Sequence, residues 1–141
     1  MPTARNGETE IEYDSFGDPA DPTALLIRGL TSQMIAWQED FCWALVDRGF
    51  HAVRMDNRDV GLSSRTPGPP PDLVELLARA EAGADLGEVP YTLSDMAADG
   101  VAVLDAVGAE QGHVVGVSLG GMIAQMMAIE HPDRVATLTS T

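Results

Sequence analysis

Lysine is absent from this 141-residue chain: all 8 basic residues are Arg, against 22 acidic ones, for a formal net charge of -14. Such a surplus of carboxylates repels phosphate backbones, which excludes nucleic-acid binding as the expected function. The Arg-only bias fits a GC-rich genome or adaptation to high salt and carries no functional reading. Cysteine is limited to Cys42, so no intrachain disulfide can form and a Cys-based zinc site lacks ligands. The N-terminal residues from Met1 to Glu10 contain no apolar core of a signal peptide. The most apolar stretch, Leu119 to Ile129, is too short and too Gly-interrupted to span a bilayer. A soluble cytoplasmic protein without a membrane partner is expected. With 45% hydrophobic residues, the length suits one globular domain with its own core.

Periodicity predicts alternating strands and helices. Thr9 to Phe16 alternates polar and apolar residues and reads as a half-buried strand opening the domain. Ala24 to Ile27 and His51 to Met55 are short strand-like runs, the first continuously apolar and suited to burial on both faces. Between them Trp37, Phe41, Trp43, Ala44 and Leu45 recur near helical spacing, and Gly49 stands as a stop. The Pro-rich run Thr66 to Pro71 is a surface excursion. Asp72 with Glu75 then starts a short helix whose stripe of Leu73, Leu76, Leu77 and Ala80 predicts packing over the rest of the fold. Thr92 with Asp95 starts a longer helix through Val107. A strand from His113 to Val117, a helix from Leu119 to Glu130 and a strand from Val135 to Thr139 complete the chain. The fold class that follows is α/β, a mainly parallel sheet with flanking helices.

Gly116-Val117-Ser118-Leu119-Gly120 matches G-x-S-x-G and lies where that pattern has chemical meaning, after a strand and before a helix. A serine forced into that turn takes a strained, positive φ and projects its hydroxyl, while the flanking glycines let strand and helix approach. The helix beginning at Leu119 directs free N–H groups and its positive dipole end at the space before the hydroxyl, where an oxyanion would be stabilised. The plainer reading is a Gly-Ser turn needed only for tight packing.

From Ile11 to Thr139 the chain resembles the N-terminal half of an α/β-hydrolase. The likeness rests on Leu26-Ile27-Arg28-Gly29-Leu30, on Met55 to Ser63, on Val115 to Gln125, and on His131-Pro132-Asp133-Arg134-Val135. Asp59 after Arg58, where many members have Gly, is similar to the aclacinomycin methylesterase-like group. The resemblance implies a serine nucleophile at Ser118 and backbone oxyanion donors at Leu30 and Leu119. It also implies acyl-enzyme cleavage of a small-molecule carboxylic ester, with no cofactor and no metal. Family members usually have His-Gly where this chain has Arg28-Gly29; Arg28 is expected either to pair with a nearby acid or to serve substrate. Asp56, Arg58 and Asp59 are expected to hold loops and not to perform proton transfer.

A serine needs a base, normally His, and a carboxylate to orient it; in this fold they follow the serine in the chain. After Ser118 only Glu130, His131 and Asp133 remain, at a helix end and in a structural turn. His51 and His113 fall at the wrong ends of their strands. No imidazole is therefore expected to reach Ser118. Residues 1–141 are read as a partial domain lacking its cap and C-terminal half, leaving Val135 to Thr139 as an open edge. The expected partner is that C-terminal half, in line or as a second chain. The alternative is a non-catalytic interaction scaffold or an inactive truncated fragment. Lactonase, thioesterase and perhydrolase chemistry would leave the same elbow.

Overall fold

The computed structural model describes residues 1–141. Thr3–Asn6 (β1) and Thr9–Phe16 (β2) form an antiparallel hairpin turned at Gly7, whose φ of 61° suits a residue without Cβ. Here the structure departs from the sequence reading, in which Thr9–Phe16 opened the domain. β1 is short and mostly polar; only Ala4 turns inward, and its pairing comes from the hairpin.

Thr23–Ile27 (β3), His51–Met55 (β4), Gly112–Gly116 (β5) and Val135–Ser140 (β6) complete one sheet in the order β1-β2-β4-β3-β5-β6. β2 is antiparallel to β4, and the pairs β4–β3, β3–β5 and β5–β6 are parallel. Every residue of β3 and β4 is buried, as strands covered on both faces require. Side chains divide between the faces with period two. Leu25 and Ile27 join Val53, Met55 and Val114 beneath Met96, Val103, Leu104, Ile123 and Met127, whereas Leu26 and Ala52 face Phe16, Trp37 and Cys42. Burying each such large aliphatic side chain contributes about 1.5–3 kcal/mol, so β3 anchors both layers.

The first layer comes from Leu93–Ala106 (α3) and Leu119–Glu130 (α4), the opposite one from Glu39–Asp47 (α1). α3 opens with a complete capping box: Thr92 Oγ1 accepts from Asp95 N–H, and Asp95 accepts from Thr92 N–H. α1 begins later than its apolar spacing predicts. Trp37 belongs to the turn before it and stacks on Phe41 at 5.4 Å, and Cys42 is the helix's only buried residue. β6 lies at the sheet edge, paired only with β5, and its residues from Ala136 onward are exposed.

Leu73–Glu81 (α2) corrects a second expectation. Asp72 caps it as the sequence predicts, accepting from Val74 and Glu75 N–H. Yet none of its residues is buried, and Val74 and Leu77 are 79% and 64% exposed. The prolines from Pro67 to Pro71 carry the helix away from the sheet, because a run without ladder donors stays extended. No helix is long and apolar enough to cross a membrane.

Candidate active site

Because β3, β4 and β5 run parallel, their C-terminal ends deliver three loops to one edge, at Arg28–Thr31, Asp56–Gly61 and Val117–Ser118. Ser118 is the sharpest of these turns, with φ 57° and ψ -124°. For a residue bearing Cβ this is a strained conformation, and the surroundings maintain it. Ser118 N–H donates to Thr141 O at 2.8 Å, and Ser118 O accepts from Gly121 N–H at 2.8 Å and Met122 N–H at 3.2 Å. A Cβ on Gly116 would collide with the Gly120 carbonyl, and one on Gly120 with the carbonyls of Ile27 and Arg28. Only bare backbone lets β5, β3 and α4 approach this closely.

The Arg28–Thr31 loop meets the serine directly. A Cβ on Gly29 would lie 3.1 Å from Ser118 Cβ and 3.4 Å from Oγ. Leu30 follows, its N–H donating to nothing in the chain. Leu119 N–H, first in α4, has no carbonyl of its own helix to meet. Leu30 and Leu119 line one cleft of about 350 Å³ with Gly29, Asn57, Val60, Leu93 and Met96. Arg28 forms no ion pair with an acid, contrary to one of its two expected roles. Its Nε donates to Ser32 Oγ at 3.2 Å and its guanidinium covers the Trp37 ring at 5.1 Å. Trp37 sits close enough to outcompete a surface carboxylate that water would screen.

The turn after β4 is a set of struts. Asp56 accepts from Met34 N–H at 2.7 Å and Leu62 N–H at 3.0 Å, tying two loops, and Asn57 Nδ2 donates to Arg28 O at 3.0 Å. Arg58 forms a two-pronged pair with Asp99 of α3, both bonds 2.7 Å. That bond, outweighing burial, raises the Arg58 pKa further above its usual range. Burial would raise the Asp59 carboxyl, but bonds from the Thr66 N–H and hydroxyl outweigh it and hold the group below its ordinary value. Tyr91, beneath the Arg58 guanidinium at 4.9 Å, is raised by burial and then by Asp59. Asp99 and Tyr91 escaped the sequence reading. A charged residue on the otherwise apolar face Met96, Gly100, Val103 signals a buried cationic partner.

The three histidines lie elsewhere. His113 shares a 2.8 Å hydrogen bond with Thr137 near the start of β5, about 16 Å of strand before Ser118. His131 caps the far end of α4, about 18 Å of helix away. His51 is buried at the start of β4, its Nδ1 without a partner, and burial lowers its pKa.

The sequence profile of the alpha/beta hydrolase fold matches residues 22–141. The chain is 37% identical to Rhodomycin D methylesterase DnrP of Streptomyces peucetius over 141 residues, which is 99% of this chain and 41% of that protein. It is 30% identical to Epoxide hydrolase A of Mycobacterium tuberculosis over 142 residues, covering 99% of this chain and 38% of the relative. Among solved structures, Epoxide Hydrolase A from Mycobacterium thermoresistibile superposes with a TM-score of 0.75 at 25% identity, over 99% of this chain and 37% of that one. The chain thus spans about two fifths of the length of these relatives. With the glycine-flanked serine turn at the C-terminal end of a parallel sheet, these matches place the chain in the alpha/beta hydrolase family.

Proposed function

We propose that residues 1–141 are the nucleophile-bearing part of a serine hydrolase that cleaves a carboxylic ester through an acyl-enzyme. The observation that carries this is Ser118, held at positive φ beside the Gly29–Leu30 loop and at the start of α4, with Leu30 and Leu119 both lining the neighbouring cleft. In this reading Ser118 Oγ attacks the ester carbonyl carbon and its proton passes to a base. The carbonyl oxygen, now negative, accepts from Leu30 and Leu119 N–H. The C–O bond to the alcohol breaks, the alcohol takes the proton, and water then hydrolyses the acyl-serine by the same route.

The base and its orienting carboxylate come from a further segment, in line or on a second chain, that pairs beside β6. Two observations support that partner: no histidine of the chain lies near Ser118, and β6 leaves one side unpaired. A small-molecule ester as substrate is supported by the methylesterase relative, and residues 1–141 are then a partial domain.

The test compares three proteins on phenyl acetate: the 141-residue chain, its Ser118→Ala variant, and the chain joined to, or mixed with, a C-terminal hydrolase segment that carries the acid and His. The first two should be indistinguishable, and the third should show turnover that Ser118→Ala abolishes. Turnover by the 141-residue chain above its Ser118→Ala control would show a base within it. A completed protein no faster than its Ser118→Ala form would favour an interaction scaffold.

A further inference from the structure

Residues 67–90, which carry α2, form no hydrogen bond with the rest of the chain; those they make close within the excursion. What holds this segment is at its two ends, and one residue serves both. Asp59 Oδ1 accepts from Thr66 N–H at 2.5 Å and Oδ2 from the Thr66 hydroxyl at 2.7 Å, at the departure. At the return, Tyr91 lines the same cleft as Asp59, and burial and then the negative Asp59 carboxylate hold its phenol above the usual value.

Asp59 has φ 65°, a conformation that glycine adopts freely and aspartate does not. The turn's own backbone bonds, Asp59 N–H to Ser64 O and Val60 N–H to Asn57 O, make no use of a carboxylate. What the carboxylate does bond is Thr66, at the departure of the excursion. Asp59 and Tyr91 line the same cleft as Leu30, Leu93, Met96 and Leu119, the last being the residue after Ser118. The Tyr91 ring lies there 4.9 Å under the Arg58 guanidinium, which Asp99 holds in turn.

We infer that Asp59 is a positioning residue for substrate: by clasping Thr66 and Tyr91 it sets the Tyr91 ring as the wall of the cleft that receives one apolar group of the ester. The ester part of this inference rests on the serine-hydrolase reading; the clasp does not. Asp59→Gly removes the carboxylate and suits the backbone, so it should fold. Asp59→Asn keeps an acceptor for Thr66 N–H and discards the charge.

Two readouts separate clasp from enzyme. The chain has only two tyrosines, Tyr13 and Tyr91, so alkaline titration of tyrosinate absorbance, with Tyr13→Phe as background, follows Tyr91. Asp59→Gly and Asp59→Asn should both move that transition to lower pH, because each removes the negative charge that opposes ionisation. In the completed protein with phenyl butyrate, Asp59→Gly should raise KM about tenfold with kcat within about twofold, and Asp59→Asn should recover part of the loss. An unmoved Tyr91 transition in both variants overturns the clasp. A moved transition with unchanged KM overturns the substrate role. If the completed protein shows no Ser118-dependent turnover, the serine reading fails while the titration still decides the clasp; if Asp59→Gly does not fold, Asp59→Asn decides it.

Discussion

Gly116 and Gly120 meet backbone to backbone: the space a Cβ on Gly116 would need is filled by the Gly120 carbonyl, and α4 rises from β5 only because neither residue carries a side chain. Either residue mutated to Ala must therefore push α4 off the sheet. We expect Gly116→Ala to cost about 4 kcal/mol, as severe overpacking against rigid backbone does. Urea unfolding of the variant beside the parent measures it, and a loss below about 1 kcal/mol would mean that the elbow yields.

Arg58 and Asp99 form a second fixed point, with side chains 12% and 2% exposed. Asp99→Asn leaves the guanidinium buried without its counter-charge. The expected destabilisation is about 3–5 kcal/mol, well above the value of a surface pair. The same measurement on Arg79→Ala, whose partner Glu75 is solvent-exposed on α2, should show less than about 0.5 kcal/mol.

His51 gives the fold an acid-sensitive component. Burial holds its imidazole below the ordinary value of 6.5, against the raising pull of Asp18 and Asp21. The unfolded chain therefore takes up this proton at a higher pH than the folded one. Stability from His51 is complete above about pH 6.5 and declines as pH falls through that value toward the lowered folded pKa. Unfolding free energies at pH 7.5 and 5.5, for the parent and His51→Gln, should show a smaller decline in the variant. Equal declines would assign the acid sensitivity to other groups.

How far the sequence revealed these features follows from how local their causes are. The capping box at Thr92 and Asp95 spans three residues, and the limits of α4 are set by Ser118 and Pro132 beside it, so both were legible. The serine elbow was legible for the same reason. β1 was not, since Thr3 to Asn6 has no apolar pattern and owes its form to pairing with Thr9–Glu12. The placement of α2 was not legible either, because an apolar stripe says that a helix can pack without naming what it packs on. Arg58 with Asp99, and Asp59 with Thr66 and Tyr91, are joined only once the sheet has brought α3 beside the β4 turn.

Covalent capture tests Ser118 as the nucleophile most directly. The completed protein, treated with a fluorophosphonate ester that phosphonylates activated serines with loss of fluoride, is digested and the adduct located by mass spectrometry. The predicted result is one adduct, on the peptide containing Ser118, formed in the completed protein and absent from Ser118→Ala. An adduct on another residue, or none in a protein that hydrolyses phenyl acetate, would contradict it.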